Sequence, residues 1–351
     1  MKTKRDIIQL ILALTACLTV ACSDHDGLEQ TGDKSASTLN LAARTRGGED
    51  NQNELSSVHV FIARATPAEG LPEYTEGDFF RSGDTWTSTA GVSQQNYYIY
   101  GYAPSGIGSC TISKLDGQST YEPGAVLTFT GMDPVSDSDV GFVEGVMGTT
   151  TKEATIGVGY DDITSGNYLF VGQPEGQNYI CLKLSHLYAA ITIHAKVHAD
   201  YTDLRTIKIR KMVLYSDYKK PNATVTLRKD VGISSIKWSG DFDNDASNVE
   251  TRKTIYENSE GIELIVGEAK RIGSGYLIPN QKVKLITTYD IYDKKGNLVR
   301  YNCTASNLID MTTESRLKKV EAGEKLNLTL TVNPSYVYQL SEPDPETEPA
   351  P

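Results

Sequence analysis

Apolar and polar residues alternate one by one along most of this chain, and this period of two constrains its fold more than any other feature. Residues 190–198 show the pattern clearly, because Ile191, Ile193, Ala195 and Val197 are separated by Thr192, His194 and Lys196. Successive side chains of a strand point to opposite faces, so the segment is predicted to be a strand with one face on a core. No stretch beyond residue 22 has a long apolar period of 3.6 residues, which favours strands over helices.

Further short segments are rich in β-branched and aromatic residues and are bounded by turn formers. We predict strands at residues 57–63, 97–102, 125–129, 168–171, 206–215, 223–227, 261–266, 282–292, 298–304 and 325–332. Residues 293–297 supply the turn of a hairpin. Many short strands at this spacing predict an all-β fold of antiparallel β-sandwiches rather than an α/β sheet.

The length of 351 residues predicts two domains of ordinary size. Residues 172–177 are polar, rich in turn formers and near the middle of the chain that follows residue 22. We therefore predict two β-sandwich domains in tandem, with a boundary near residue 176.

The first 26 residues have the pattern of an export signal. A basic start leads into an apolar run over residues 7–21 that ends at Cys22, and the run is short for a membrane span. It resembles a bacterial lipoprotein signal, in which the cysteine that becomes N-terminal carries acyl chains such as palmitate. Cys17 fits the first position of that signal better, but it shortens the apolar run, so Cys22 is preferred. Residues 23–26 resemble the acidic tag of surface lipoproteins in the Bacteroides group, which predicts an outer-membrane, cell-surface location.

Charge and cysteine usage exclude several classes of protein. The net charge is -11 and no basic tract is present, which argues against a nucleic-acid partner. Cys110, Cys181 and Cys303 allow at most one disulfide and lack the spacing of a metal site. We expect them to be buried free thiols.

The search for an enzyme site is negative, so we expect no catalysis, no metal and no cofactor. Neither a Gly-x-Ser-x-Gly nor a His-Glu-x-x-His motif occurs. His194 and His198 lie about 13 Å apart on a strand, too far to share one ion. His186 is in phase with Leu182 and Leu184, which predicts a hydrogen-bonded core histidine. Residues 241–245 look like the start of a calcium loop but lack its glycine and its glutamate, so an acidic loop is expected.

Four segments carry a resemblance to a known family. Residues 97–104, 179–193, 275–279 and 322–328 are similar, in this order, to strands of the fimbrillin family of Bacteroides-type bacteria. The resemblance covers nearly all of the chain after the signal. It implies transthyretin-like β-sandwich domains and export as a lipoprotein. It also implies cleavage after an arginine in an N-terminal loop, followed by assembly in which a strand from one subunit fills the groove vacated in another.

The front of the chain contains the parts that such processing needs. Leu39, Leu41 and Ala43 alternate with polar or small residues, so this segment can lie as a strand with one apolar face. It runs into residues 44–50, where glycines and acids favour an exposed loop open to a trypsin-like protease. Arg46 is the preferred cleavage site and Arg44 the alternative. The expected organisation is a signal (1–21), a segment removed on maturation (22–46), two domains (47–176 and 177–341) and an acidic tail (342–351).

The end of the chain predicts a weak strand donor. Beyond residue 334 only residues 335–341 are expected to form a strand, because prolines lack backbone donors and interrupt residues 342–351. Seven residues reach roughly 23 Å at about 3.3 Å each. A chain that accepts a strand but donates weakly would suit a fimbrial tip or accessory position.

The function predicted from these observations is that of a fimbrial subunit or a tip or accessory adhesin. Its expected partners are other fimbrial subunits, the outer membrane through the lipid anchor, and a host or bacterial surface receptor. The alternative is a surface glycan-binding lipoprotein for polysaccharide uptake, because the chain has 20 tyrosines, and Trp86 and Trp238 could stack on sugar rings.

Overall fold

The computed structural model describes residues 37–45, 55–83, 85–107, 109–173, 178–199, 205–242, 252–312, 319–332 and 344–348. These residues contain strands, one 3-10 turn at Glu153–Thr155 and no α-helix, so the all-β prediction is confirmed. The strands of the first half are β1 (Ser37–Thr45), β2 (Ser57–Arg64), β3 (Tyr74–Ser82), β4 (Thr85–Ser88), β5 (Gly91–Val92), β6 (Asn96–Ala103), β7 (Ser109–Lys114), β8 (Gly124–Thr130), β9 (Val135–Ser136), β10 (Gly141–Thr149) and β11 (Leu169–Val171).

The strands of the second half are β12 (Asn178–His186), β13 (Ala189–Val197), β14 (Thr206–Ser216), β15 (Tyr218–Arg228), β16 (Gly232–Phe242), β17 (Arg252–Glu263), β18 (Lys270–Leu277), β19 (Lys282–Tyr292), β20 (Leu298–Asp310), β21 (Lys325–Val332) and β22 (Asp344–Glu348). The prediction for residues 261–266 is only partly right, because β17 begins nine residues earlier, at Arg252, and ends at Glu263. The turn at residues 293–297 is confirmed, since Asp293 N donates to Asn297 O at 2.9 Å.

The largest sheet has the strand order β4-β3-β2-β6-β10-β12-β1-β5, with β11 also paired to β6. Its two end strands, β4 and β5, are joined by only two residues, Thr89 and Ala90. Thr89 N donates to Asp78 O of β3, and Ala90 O accepts from Leu39 N of β1, each at 3.0 Å. The sheet therefore closes on itself, and we call it the closed sheet. Side chains from all around it form the barrel core, which includes Leu39, Val60, Ile62, Val146, Ile180 and Leu182.

A second sheet, with the order β16-β15-β8-β7, packs on the outer face of the closed sheet. The core between these two layers is rich in aromatic rings and includes Phe61, Tyr100, Tyr102, Phe129 and Tyr188. Tyr100 is fully buried and its hydroxyl donates to Tyr121 O at 2.7 Å, which satisfies the polar end of the ring.

The remaining strands form a two-layer sandwich from sheets β22-β21-β13-β18-β9 and β17-β14-β19-β20. The alternation predicted in β13 is confirmed, because Ile191, Ile193, Ala195 and Val197 are at most 2% exposed. They lie in the C-terminal core with side chains such as Leu214, Leu285, Ile309 and Leu328. Most pairings are antiparallel, as predicted, but β1 pairs with β12 and β13 with β21 in parallel.

The predicted domain boundary near residue 176 falls at residues 174–177, which lie outside the described residues. Strands from both sides of it share hydrogen bonds, since β12 pairs with β10 and β15 with β8. The domains 47–176 and 177–341 stay a prediction.

The prediction that the tail beyond residue 341 forms no strand is wrong. Asp344–Glu348 forms β22, antiparallel to β21, with Pro345 opposite Leu330. The strand lies at the end of its sheet, where one side of the backbone needs no partner, so proline is tolerated. Residues 335–341, the expected donor strand, lie outside the described residues.

Candidate functional site

The candidate site is the position of β1 in the closed sheet, which we call the β1 groove. On one side β1 pairs in parallel with β12, in a register that runs from Leu39 opposite Asn178 to Thr45 opposite Leu184. On the other side its first residues pair with β5. The segment that the sequence marked as removable is therefore an integral strand of a closed sheet.

The apolar face of β1 points into the barrel core, as the alternation predicted. Leu39 is fully buried and Leu41 is 7% exposed. Both belong to the same cluster as Ile180, Leu182 and Leu184, which project from the neighbouring strand β12. These two leucines are thus part of the interior of the closed sheet.

A fully buried carboxamide lies at the start of the β1 groove. Asn178 is 0% exposed, and its Nδ2 donates to Ser37 Oγ at 2.5 Å and to Gln173 O at 3.2 Å. Its Oδ1 accepts from Gln173 N at 2.8 Å. The Ser37 hydroxyl donates onward to Val92 O of β5 at 3.4 Å. Asn178 was missed by sequence reasoning, because a single asparagine at the start of an apolar strand carries no local signal of burial.

The opposite face of β12 carries a second polar group that sequence reasoning did not find. Lys183 is 9% exposed, and its Nζ donates to Ile163 O at 3.3 Å and lies 4.4 Å from the centre of the Tyr160 ring. The Tyr160 hydroxyl donates to Glu144 Oε2 at 3.2 Å. The residues before β11 thus cover this face, so the lysine is enclosed and paired.

Of the two candidate cleavage sites, only Arg44 lies within the described residues. Arg44 is the eighth residue of β1, and its backbone lies in register with Lys183 of β12. Arg46 lies outside the described residues, beyond the end of β1 at Thr45. Cys17 and Cys22, the candidate lipid-bearing residues, also lie outside the described residues.

The three remaining cysteines are free thiols. Cys181 is fully buried in β12, whereas Cys110 and Cys303 are partly buried. Burial, helped by the nearby Glu76 carboxylate, raises the pKa of the Cys110 thiol to about 12. Such a thiol is protonated at neutral pH and therefore a poor nucleophile.

The three histidines singled out by the sequence lie on strands β12 and β13 or directly after them. The Nδ1 of His186 hydrogen-bonds with the Asp139 carboxylate, which confirms the predicted hydrogen bond, but the side chain is 20% exposed, so the prediction of a core position is wrong. His194 and His198 lie at the outward-facing positions of β13 and just beyond it. Among the described residues, no group of three or more His, Cys, Asp or Glu side chains is placed to hold a metal ion. Over the same part of the chain, no helix has the length and apolar character needed to cross a membrane.

The tryptophans proposed for glycan stacking pack against the cores. Trp86 is half-buried against the barrel core, and Trp238 lies 5.5 Å from the buried Tyr188 ring. Both side chains are partly exposed, and each ring also contacts protein neighbours.

Comparison with known proteins gives matches among solved structures. No protein-family model and no curated protein matches the chain. A fimbrial protein from Bacteroides vulgatus ATCC 8482 matches with a TM-score of 0.46 and 13% identity, over 90% of this chain and 98% of that one. Candidate cell adhesion proteins match from Bacteroides uniformis ATCC 8492 (TM-score 0.43, 11% identity, 89% and 97% covered) and Bacteroides ovatus ATCC 8483 (TM-score 0.42, 12% identity, 91% and 100% covered). Over 89–91% of its length, the chain is thus similar to fimbrial and candidate cell adhesion proteins of Bacteroides.

Proposed function

We propose that this protein is a surface fimbrial subunit, or a tip or accessory adhesin, without catalytic activity. It is exported as a lipoprotein attached through Cys22 to the outer membrane. Cleavage after Arg46 frees residues 22–46, and a strand of another subunit then takes the place of β1.

The observation that carries this proposal is the position of β1 inside the closed sheet. Its release would open a groove roughly 23 Å long, because seven registered residues span about 3.3 Å each. The backbone edge of β12 would lose its partner, and the space of two buried leucines, worth about 1.5–3 kcal/mol each, would be left to water. An incoming strand restores both the hydrogen bonds and the apolar contacts.

The paired backbone of Arg44 supports Arg46 as the cleavage site. A protease binds its substrate in an extended form with free backbone groups, and cleavage within a paired strand requires that strand to unfold locally first. Arg44 is held in the ladder with β12, whereas Arg46 follows the last residue of β1. Cleavage there would leave β1 paired with β12 but no longer joined to β2 through the chain, so that it can dissociate or be displaced by another strand.

Limited trypsin digestion of the full-length protein tests this proposal. We expect early cleavage after Arg46, followed by association of the cleaved protein once β1 leaves and exposes the groove. Mass spectrometry identifies the site, and light scattering after gel filtration measures the molar mass.

The Arg46→Ala variant should stay monomeric, and the Arg44→Ala variant should behave like the unaltered chain. Cuts elsewhere in the folded body, with Arg46 intact, would overturn the processing step. Long filaments formed by the cleaved protein alone would overturn the tip or accessory position.

A further inference from the structure

We propose that the β1 groove selects strands with a Ser or Thr, followed two and four residues later by aliphatic side chains, and that such a strand comes from a different subunit. Asn178 would recognise the hydroxyl, and the barrel core would recognise the aliphatic residues. This inference rests on the proposed strand exchange and names the kind of partner it requires.

The hydroxyl is required because its neighbours need both an acceptor and a donor. Ser37 Oγ accepts from the buried Nδ2 of Asn178 and donates to Val92 O. Serine and threonine side chains can do both at once, whereas a carboxylate only accepts. An alanine would leave one N–H of the buried Asn178 carboxamide without an acceptor, which costs free energy.

The two aliphatic positions follow from the register. Ser37, Leu39 and Leu41 project on one face of β1, towards the face of β12 that carries Asn178 and Ile180. Leu39 and Leu41 are 0% and 7% exposed, so each fills a space with little room for a larger side chain.

The tail of this chain does not present the pattern. In residues 335–341 (Ser-Tyr-Val-Tyr-Gln-Leu-Ser), Ser335 is followed two and four residues later by Val337 and Gln339. Read in the opposite direction, Ser341 is followed by Gln339 and Val337. In either orientation Gln339 would take the position of Leu39 or Leu41. The other face of the segment carries tyrosines, which are larger than the leucines they would replace. Residues 335–341 of a second copy therefore do not fit the β1 groove, which favours a strand from a different subunit.

Peptide competition on the full chain tests this inference. A site for a sequence-specific protease is inserted after Gly48, so that nicking does not depend on Arg46 and a failure of natural processing leaves this experiment valid. Labelled peptides then compete with β1 for the groove, and fluorescence anisotropy measures their binding. The probes are residues 36–46, the same peptide with Ser37→Thr or Ser37→Ala, and residues 333–343.

We expect the natural and Ser37→Thr peptides to bind alike and the Ser37→Ala peptide to bind about tenfold more weakly. The tail peptide should bind at least about a hundredfold more weakly. Equal binding of the Ser37→Ala peptide, or binding of the tail peptide within about threefold of the natural one, would overturn the inference.

The intact chain provides a second readout in case the nicked protein holds β1 too tightly to exchange. Urea unfolding compares Ser37→Ala, Ser37→Thr and a chain in which residues 37–43 are replaced by the sequence of residues 335–341. The first and third should unfold at lower urea concentration than the unaltered chain, and the second should not. Equal midpoints for all of them would contradict the selection rule.

Discussion

A buried carboxylate, Asp290, fixes an irregular part of the C-terminal sandwich. Its side chain is 5% exposed, and it accepts hydrogen bonds from Asn302 N at 2.8 Å and Arg210 Nε at 2.7 Å. The register of β19 with β20 shifts between Tyr289 and Ile291, and Asn302 has a φ of +50°. Asparagine tolerates this left-handed conformation better than most residues. The carboxylate therefore holds together the two strands at the point where their ladder is interrupted.

The first prediction concerns the pH dependence of this contact. Burial raises the pKa of Asp290, but the Asn302 N–H and the Arg210 guanidinium outweigh that effect and hold it below its ordinary value. Because the folded pKa is depressed, the stabilisation is present above the unfolded pKa of about 3.9 and is lost as pH falls through the folded value. We expect Asp290→Asn to lower the free energy of unfolding by about 1.5–3 kcal/mol at pH 7, and by less at acidic pH.

Urea unfolding from pH 7 to pH 2.5 measures this difference. Asp161→Asn is the matched control, since Asp161 is exposed. A difference between Asp290→Asn and the unaltered chain that stays constant over this range would show that the carboxylate charge does not carry the stabilisation.

At the scale of the strands, burial on one face or two decides what the sequence reveals. β13 is covered on one face and alternates, so its inward residues could be predicted. β2 contributes Val60 and Ile62 to the barrel core and Phe61 to the aromatic core, so it shows a continuous apolar run that identifies a strand but not its faces. The parallel contact of β1 with β12 joins distant parts of the chain, and local patterns do not specify it. Asn178 and Lys183 were missed for the same reason.

The second prediction tests whether β1 contributes to stability as a core strand. Leu39→Ala removes a fully buried side chain from the barrel core and should lower the free energy of unfolding by about 2–5 kcal/mol. Leu71→Ala is the control, because Leu71 is 43% exposed and should change it by about 0.5 kcal/mol or less. Urea unfolding measures both. Similar effects of the two substitutions on the free energy of unfolding would mean that β1 does not contribute to stability as a core strand.

The third prediction concerns β22, which pairs with the edge of β21 that faces away from β13. Deletion of residues 342–351 should expose the backbone groups of β21 that face β22. Those amides of Asn327–Thr331 that point towards β22, rather than towards β13, should then exchange faster with deuterium. A chain that lacks only residues 349–351 retains β22 and is the control. Unchanged exchange in β21 after the longer deletion would show that β22 does not protect this edge.

At the scale of the whole molecule, the cores divide the fold into parts that can respond differently. The barrel core draws on β1, β2, β6, β10 and β12, whereas the C-terminal core draws on β13, β14, β19, β20 and β21. Among the side chains that the structure describes, those of β1 belong to the barrel core, and none of them belongs to the C-terminal core. Loss of β1 should therefore open the closed sheet and leave the C-terminal sandwich folded.

The fourth prediction is that weakening β1 lowers protection only in the closed sheet. In Leu39→Ala, amides of β10 and β12 should exchange at least about tenfold faster under native conditions, because local opening now costs less free energy. Amides of β14 and β19 should keep their exchange rates, since their side chains pack in the C-terminal core. Hydrogen–deuterium exchange with mass spectrometry resolves the two regions.

Leu285→Ala is the matched control, because it removes a fully buried leucine of the C-terminal core and should reverse the pattern. An equal rise in all strands of Leu39→Ala would mean that the molecule opens only as a whole, and a strand could then not be exchanged without global unfolding.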